Sequence, residues 1–454
     1  MNQIRPHTGH CPGRSIGFYL VIGLLWLAAL AVSPSRGAAA DYGYIDLTNP
    51  FLRKIPIAIP QFRTLNPGAE VDRLAAEGSR LMSDTLNFTG YFMIVDPAAY
   101  LIDPSKMGVT QADVDFKAWK EIGSDLLITG LTALDEDVVE MELRLFDTVK
   151  QQLLLGKRYA ARASDYRRLV RRFCAEVLLH LTGSAGPFES KIAFVSTGSG
   201  QKEIYTCDFD GYDPQPFTRH QSISLRPSWS SDGQWISYTA YRKDRAELYI
   251  RHRTDKRGAV VSQAGLNLNG GWVPGRFELG ATLSVSGDQE IYLLTGAGDI
   301  VKRLTQQPDI DVSPTFSPDG KRMAFVSKRA GSPQIYVMDL GSGQSERLTF
   351  EGNYNTQPSW SPKGDRIAYT GMVKNRIDIY VIDLRTRAIA QLTRDSGDNE
   401  SATWSPDGSL IAFSSTREGT SRIYVMTAFG TDQRRLLTLP GAQSMPSWSP
   451  GGIQ

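Results

Sequence analysis

The sequence predicts an α/β N-terminal domain followed by an all-β six-bladed β-propeller that the C-terminal strand closes. An aromatic residue precedes a tight-turn sequence such as "SPDG" at intervals of 43 or 44 residues, and an Ile or Leu followed by Tyr recurs at the same intervals. Self-similarity with a period of about 40–45 residues is typical of propeller blades. The roughly 130 residues before this array show helical and strand periods instead, which indicates a separate α/β domain.

The first forty residues have the pattern of an export signal. Arg5 and Arg14 precede an uncharged stretch over residues 16–32, and Pro34 and a run of small residues follow it, ending at Ala40. This order is typical of a cleavable signal peptide, although an apolar run of about 17 residues also leaves a membrane anchor open. We therefore predict a signal peptide over 1–40, no membrane span after cleavage, and a flexible arm over 41–52.

Residues 53–183 are predicted to form the α/β domain, with a linker over 184–190. Two strands ("IPIAIP", "YFMIVD") and two helices ("GAEVDRLAAEGSRLMSDTLNF", "DVDFKAWKEIG") precede three strands and a last helix that ends near Gly183. Four arginines cluster on that helix: Arg167, Arg168, Arg171 and Arg172. We interpret them as a solvated helix face, with an acidic partner site as the alternative.

One repeat reads "PTFSPDGKRMAFVSKRAGSPQIYVMDLGSGQSERLT" and contains four short strands separated by turns. Pro318 presets φ in the first turn, and Gly320 accepts the left-handed conformation that ends it. The aromatic residue before the turn, here Phe316, is expected to pack between neighbouring sheets, because each blade buries both faces. Four strands in about 44 residues make one blade.

Six aromatic positions and six Ile/Leu-Tyr pairs predict six blades, but the two series are out of phase. The first strand sequence, "IAFVS" from residue 192, has no aromatic turn before it, and the last "PSWSP" has no strands after it. We predict that the strand around Trp448 completes the blade begun at Lys191, so that the propeller spans 191–454 and has no open edge. The unit at Trp272 lacks the Asp of the turn and is counted as a degenerate blade.

The sequence contains few signals of an enzyme, a metal site or a nucleic-acid-binding surface. A formal net charge of +2 argues against a nucleic-acid partner. Cys174 and Cys207 are expected to be buried free thiols, although export would permit a disulfide. His180, His220 and His252 have no metal-ligand spacing, and the repeated turn Asp is only a weak calcium signal. No nucleophile elbow, P-loop or dinucleotide fingerprint occurs, so we expect no enzyme and no catalytic, cofactor-binding or metal-binding residues.

An export signal, an α/β front domain and six repeats that end on an unpaired "PSWSP" together resemble the TolB family of the Tol-Pal system, over nearly the whole mature chain. The resemblance implies a periplasmic binding protein, monomeric outside its complexes. Such proteins bind the outer-membrane lipoprotein Pal through the propeller and TolA through the N-terminal arm, and support outer-membrane integrity and outer-membrane invagination during cell division. The alternative is an exported propeller enzyme such as a metal-dependent lyase.

In this family the loops before each aromatic residue line the mouth of the central funnel, so the resemblance implies a Pal site there. At five, four and three residues before the aromatics stand Ser224, Leu225, Arg226, Asn267, Leu268, Asn269, Asp311, Val312, Ser313, Asn355, Thr356, Gln357, Asn399, Glu400, Ser401, Gln443, Ser444 and Met445. The alternative is that they are solvated loop residues. By position, the resemblance assigns TolA to Asp41, Tyr42, Tyr44, Ile45 and Asp46, with an unimportant tail as the alternative.

Overall fold

The computed structural model describes residues 54–255 and 257–452. The predicted signal peptide and the predicted TolA-binding residues Asp41, Tyr42, Tyr44, Ile45 and Asp46 lie outside the described residues. Within them, an α/β domain precedes six four-stranded sheets arranged as a propeller, which confirms the predicted fold class.

The α/β domain is a sheet with helices packed against it. Its helices are α1 (Ala69–Phe88), α2 (Phe116–Glu121) and α3 (Tyr166–Thr182). Its strands are β1 (Ile55–Ala58), β2 (Arg63–Thr64), β3 (Phe92–Ile94), β4 (Leu126–Asp135), β5 (Val138–Asp147) and β6 (Gln152–Arg162). The sheet order is β3-β1-β4-β5-β6, with β2 on β4. Residues alternate along β5 between buried and less buried, as expected of a strand with one covered face.

The two long helices bury one stripe each. In α1 the buried side chains include Val71, Leu74, Leu81 and Met82, at the three- and four-residue spacing that a helix places on one face. In α3 the buried stripe includes Val170, Phe173 and Cys174, and Gly183 ends the helix at φ 76°. These stripes and the covered face of the sheet form one apolar core.

The propeller strands follow the predicted repeat. Blade 1 contains β10 (Ser224–Trp229), β11 (Trp235–Arg242), β12 (Arg245–His252) and β13 (Gly258–Val261); blade 2, β14 (Asn267–Trp272), β15 (Glu278–Ser286), β16 (Asp288–Thr295) and β17 (Ile300–Arg303); blade 3, β18 (Asp311–Phe316), β19 (Arg322–Ser327), β20 (Gln334–Asp339) and β21 (Ser345–Arg347). Blade 4 contains β22 (Tyr354–Trp360), β23 (Arg366–Val373), β24 (Arg376–Asp383) and β25 (Ile389–Gln391); blade 5, β26 (Asn399–Trp404), β27 (Leu410–Ser415), β28 (Arg422–Thr427) and β29 (Arg434–Arg435); blade 6, β30 (Gln443–Trp448), β7 (Lys191–Ser196), β8 (Glu203–Asp208) and β9 (Gln215–Pro216).

The last strand closes the ring, as predicted. β30 pairs antiparallel with β7, and Ser447 stands opposite Ala193 while Trp448 stands opposite Ile192. The sheet order β30-β7-β8-β9 therefore joins the end of the propeller to its beginning. Closure removes the unpaired edge that β7 would otherwise present.

The repeated turn owes its shape to a serine, an aspartate and a glycine. The Ser317 hydroxyl donates to Asp319 Oδ1 at 2.5 Å and accepts from the Arg322 backbone N at 2.9 Å, and Gly320 adopts φ 65°. Blade 2 keeps the turn without the aspartate: the Val273 backbone N donates to the Glu278 carbonyl at 2.8 Å, and Gly275 adopts φ 71°. The degenerate unit is therefore a blade, as expected.

The aromatic residue before each turn is buried between blades. In three blades its indole N–H donates to a backbone carbonyl of the preceding inner strand: Trp229 to Ser447 at 3.1 Å, Trp272 to Ser228 at 3.2 Å and Trp404 to Ser359 at 3.1 Å. Each of these bonds joins two sheets, so the aromatic residue fixes the spacing of neighbouring blades as well as filling it.

Antiparallel strands carry the chain from one face of the propeller to the other at every step. The loops that enter the inner strands, and the hairpins between second and third strands, therefore lie on one face, which we call the mouth face. The Ser-Pro-Asp-Gly turns and the connections between third and fourth strands lie on the opposite face, which we call the turn face.

The α/β domain packs against the turn face of blades 5 and 6. Phe209, in the connection after β8, meets the rings of Phe88 and Phe188 edge to face at centroid distances of 5.3 and 5.4 Å. Lys54 pairs with Asp432, in the connection after β28, at 2.8 Å. Phe188 belongs to the predicted linker, which is thus anchored in the junction through a buried ring.

Two arginines of the α3 cluster hold the domains together, which corrects their interpretation as a solvated face. Arg167 pairs with Asp210 at 2.9 Å, and Arg171 pairs with Asp208 at 2.7 Å and with Asp210 at 3.2 Å. Both aspartates belong to blade 6. Arg168 remains largely exposed. The cluster is thus divided between the domain junction and solvent.

The two cysteines are separate, buried free thiols, as predicted. Cys174 Sγ lies 3.4 Å from Met82 Sδ in the core of the α/β domain. Cys207 lies on β8, where its thiol approaches the Ile192 carbonyl at 3.8 Å. Burial raises the pKa of both thiols, which disfavours the reactive thiolate.

Candidate functional site: the mouth of the propeller

A bulge in each inner strand turns side chains toward the propeller axis. In blade 1 the pairing runs from Leu225 opposite Thr239 to Ser228 opposite Ser237, so the inner strand holds one extra residue. The residue within the bulge has a left-handed φ between 52° and 59° in five blades: Arg226, Ser313, Gln357, Ser401 and Met445. In blade 2 the shift comes between Asn269 and Trp272, one residue later.

The structure corrects the prediction that the eighteen mouth residues are loop residues, because all of them lie on inner strands. The first residue of each triplet is also buried: Ser224, Asn267, Asp311, Asn355, Asn399 and Gln443. Asn399 Nδ2 donates to Asp378 Oδ1 at 3.1 Å, and Asn355 Nδ2 donates to Gln334 Oε1 at 2.8 Å. These two amides thereby join the start of their inner strand to the preceding blade.

The second and third residues of the triplets lie at the mouth and along the axis of the propeller. The second residues are partly buried at the mouth end of the strands: Leu225, Leu268, Val312, Thr356, Glu400 and Ser444. The third residues line a cavity of about 290 Å³ on the axis: Arg226, Asn269, Ser313, Gln357, Ser401 and Met445. We call this cavity the channel. It brings together six residues, one from each blade, that lie 43 or 44 positions apart in the sequence.

Among the described residues that line the channel, Arg226 is the one cation, and the acidic residue Glu400 directly precedes Ser401 of the lining. Arg226 Nη2 donates to Ser313 Oγ at 3.0 Å. Gln357 Oε1 accepts from the Ser401 backbone N at 2.9 Å and from Thr370 Oγ1 at 2.7 Å, which fixes that wall. Desolvation lowers the pKa of Arg226 and raises the pKa of Glu400. Both shifts mark an environment poorer in water than the surface.

Sequence reasoning missed the apolar residues around the mouth. Phe350 is 70% exposed and Tyr354 is 44% exposed, at the entry to the inner strand of blade 4. Ile223 is also exposed, immediately before the inner strand of blade 1. We call these three residues the rim. An aromatic residue shortly before the triplet was the only available signal, and the sequence could not show whether it pointed outward.

The described residues include no group of three His, Cys, Asp or Glu side chains that could hold a metal ion. His220 instead hydrogen-bonds Tyr238 Oη at 2.8 Å and lies against the ring of Tyr249. Burial lowers the pKa of His220 and raises that of Tyr238 to about 12. Nor does any helix over 54–255 and 257–452 have the length and apolarity to cross a membrane.

Comparisons with known protein families match both domains. The TolB amino-terminal domain family matches residues 43–154, and the TolB beta propeller domain family matches residues 179–452. The chain is 58% identical over 283 residues to the Tol-Pal system protein TolB of Desulfosudis oleivorans, covering 62% of this chain and 64% of that relative. It thus spans just under two thirds of that relative's length.

Two further relatives extend the likeness. The chain is 39% identical over 311 residues to the protein TolB homolog of Chlorobium chlorochromatii, covering 68% of this chain and 70% of the relative. The crystal structure of TolB from Acinetobacter baumannii superposes with a TM-score of 0.76 at 25% identity, covering 88% of this chain and 97% of that one. The likeness therefore extends across both domains in sequence and in fold.

Proposed function

The chain belongs to the TolB family, and on that premise we propose that it is a periplasmic adaptor of the Tol-Pal system that binds proteins and catalyses no reaction. Its mouth face docks the outer-membrane lipoprotein Pal, and its N-terminal arm engages TolA. Through these two contacts it supports outer-membrane integrity and the invagination of the outer membrane during cell division.

The Pal proposal rests on a difference between the two faces of the propeller: the α/β domain covers part of the turn face, whereas the mouth face carries exposed side chains. The α/β domain covers the turn face of blades 5 and 6 through Phe209 and the ion pairs of Arg167 and Arg171. The mouth face combines a polar channel with exposed side chains such as Phe350. Exposed aromatic residues beside directed polar groups are typical of protein-binding surfaces.

The mouth also differs from blade to blade, whereas the frame that supports it repeats. The third positions contribute a cation, an amide, two hydroxyls, a second amide and a thioether: Arg226, Asn269, Ser313, Ser401, Gln357 and Met445. The bulge that presents most of them has the same conformation throughout. A varied set of groups on a uniform scaffold suits recognition of one asymmetric partner surface.

The TolA proposal rests on the family and on the composition of the arm. Its residues Asp41, Tyr42, Tyr44, Ile45 and Asp46 place two aromatic side chains and one aliphatic side chain between two acidic ones. A free segment of this kind can add a strand to the edge of a partner's sheet, with Tyr42, Tyr44 and Ile45 filling side-chain pockets. Ordering it on binding costs conformational entropy, so its affinity is modest.

Calorimetric titration with two partners tests the proposal. The soluble domain of Pal and the C-terminal domain of TolA are titrated separately into the chain beginning at Asp41, into a variant lacking residues 41–49, and into Thr356→Trp. The arm deletion should abolish TolA binding and leave Pal binding, whereas the bulky side chain at the mouth should weaken Pal binding and leave TolA binding. A deletion variant that binds TolA at full strength, or an unmodified chain that binds no Pal, would contradict the assignment.

A further inference from the structure

The channel contains an arginine that lacks a carboxylate partner. Arg226 Nη2 donates to Ser313 Oγ, and within the described residues no carboxylate oxygen lies within 4.0 Å of its guanidinium. Elsewhere in the propeller comparable arginines are paired: Arg303 with Glu290 at 2.8 Å and Arg329 with Asp311 at 2.8 Å. A guanidinium has five N–H donors in a planar fork, so most of the hydrogen-bonding capacity of Arg226 remains open toward the channel.

The backbone of Arg226 is held in place, although its guanidinium has no carboxylate partner. The residue lies in the bulge of β10 at φ 55°, and its carbonyl accepts from Asn269 Nδ2 at 2.7 Å. Its side chain starts in blade 1 and ends on a hydroxyl of blade 3, so it lies across the front of blade 2 and borders the channel. Such a preorganised donor group loses little entropy when it binds.

Two more groups in the channel wall have unfilled hydrogen-bonding capacity. Asn269, only 3% exposed, has no partner for its Oδ1, and Ser401 has none for its Oγ. Both side chains line the same cavity as Arg226. Buried polar groups without partners cost free energy, so the wall around Arg226 is polar and incompletely hydrogen-bonded, and a ligand that supplies an acceptor to Arg226 would stabilise it.

The charge of Glu400 acts on Arg226 from a distance, but the two side chains form no ion pair. Desolvation and the like charge of Asp398 raise the pKa of Glu400 more than Arg226 lowers it. Tyr241 and Tyr354 are the other titratable groups whose fields reach Arg226. The cation in the channel therefore has a carboxylate nearby but none in contact.

We propose that Arg226 receives a carboxylate side chain, which the protein docked over the mouth inserts into the channel. The cavity of about 290 Å³ has the volume of roughly ten waters, which is room for one or two side chains but not for an α-helix about 10 Å across. A guanidinium and a carboxylate form two parallel charge-assisted hydrogen bonds. This inference rests on the proposed docking of Pal at the mouth face.

Arg226 and Glu400 carry opposite charges, so neutralising each of them should change the affinity for Pal in opposite directions. Arg226→Gln should weaken binding of the soluble Pal domain about 10- to 100-fold, because it removes the charge and the fork. Arg226→Lys should lie between this variant and the unmodified chain, since an ammonium keeps the charge but loses the bidentate geometry. Glu400→Gln should strengthen binding a few-fold, because it removes a like charge beside the inserted carboxylate. Lys302→Gln, which removes an exposed charge on the outer strand of blade 2, is the matched control and should leave the affinity unchanged.

Calorimetric titration of these variants, each checked for an unchanged thermal unfolding transition, is combined with amide variants of each Asp and Glu on the Pal surface. One acidic residue of Pal should lose its effect when Arg226 is already Gln, which identifies the inserted group by a double-mutant cycle. Weaker binding by Glu400→Gln together with tighter binding by Arg226→Gln would show that a cation enters instead and would overturn the inference, as would an unchanged affinity of Arg226→Gln. Failure of the unmodified chain to bind Pal is a different result, which rejects the proposed docking itself and the inserted carboxylate with it.

Discussion

The backbone N–H of Lys191 donates to the side-chain hydroxyl of Ser449 at 2.8 Å, joining two residues 258 positions apart. The Ser449 backbone N donates in turn to the Lys191 carbonyl at 2.9 Å. The serine is the first residue of the last Ser-Pro-x-Gly turn, and the lysine begins β7. The last repeat therefore uses its turn serine to fasten the beginning of the propeller, as Ser317 fastens Arg322 within blade 3.

Closure predicts a large effect of Trp448→Ala on stability. The ring of Trp448, on β30, is buried in the apolar core that the α/β domain shares with blades 5 and 6, and its indole N–H donates to Ser190 Oγ at 2.7 Å. Loss of this side chain should lower the free energy of unfolding by about 3–5 kcal/mol. Deleting residues 450–454, which follow β30, is the control and should change it little. Urea denaturation followed by tryptophan fluorescence and circular dichroism measures both; equal stability of the two variants would contradict the closure.

The domain junction predicts that the stability of the protein depends on Arg171 more than on its neighbour Arg168. Arg171→Gln leaves Asp208 paired with Lys191 alone and Asp210 paired with Arg167 alone, so it should destabilise the junction by about 1–2 kcal/mol. Arg168→Gln, at a side chain that is 65% exposed, should cost less than about 0.5 kcal/mol. Differential scanning calorimetry distinguishes them; two identical transitions would restore the solvated-face interpretation for Arg171.

The same junction predicts a pH dependence. Desolvation raises the pKa of Asp208, but Arg171 and Lys191 outweigh it and hold the pKa below its ordinary value of 3.8. A lowered carboxyl pKa stabilises the fold above the unfolded-state pKa, and this contribution disappears as the pH falls through the folded-state pKa. Stability should therefore decline more steeply below about pH 4 in the unmodified chain than in Asp208→Asn. Parallel curves for the two proteins would show that the ion pair is not linked to folding.

In blade 2 the charge of a buried carboxylate and its hydrogen bonds should make separate contributions to the free energy of unfolding. Glu290, fully buried, accepts from Thr305 Oγ1, from the Gln307 backbone N at 2.9 Å and from Arg303 Nη2 at 2.8 Å. In blade 3 a neutral residue, Gln334, takes the same position and accepts from its threonine at 2.7 Å. Glu290→Ala should cost about 3–5 kcal/mol because it strands the donors.

Glu290→Gln is the matched variant, and it should cost clearly less than Glu290→Ala because the amide oxygen can still accept from Thr305. Chemical denaturation measures the pair. Equal losses for the two variants would mean that the charge, and not the hydrogen bonds, holds this strand.

The rim predicts a hot spot that leaves the fold intact. Phe350→Ser should weaken Pal binding by about 1–3 kcal/mol, because a largely exposed ring becomes buried only in the complex. Ile389→Ser, on the outer strand of the same blade, removes another exposed apolar side chain away from the mouth and serves as the control. Isothermal titration gives both affinities; equal losses would place the contact elsewhere on the blade.

Local and periodic features were predictable from the sequence. The turn at Gly320, the ring between blades at Trp404 and the closing strand at Trp448 each depend on a pattern that recurs along the chain. The environment of an individual side chain was not predictable. Arg171 and Arg168 occupy one helix and look alike in sequence, but only Arg171 meets acids of another domain. Asn399 looks like a loop residue until its bond to Asp378, a residue of the preceding blade, is known.

The central claim, that the partner docks on the mouth face, is tested most directly by hydrogen–deuterium exchange of the chain beginning at Asp41, with and without a saturating amount of the soluble Pal domain. Backbone amides of the loops that enter β10, β14, β18, β22, β26 and β30 should exchange more slowly in the complex, most of all around Phe350, while the Ser-Pro-Asp-Gly turns stay unchanged. Protection confined to those turns, or to the outer strands, would place the partner on another surface and contradict the claim.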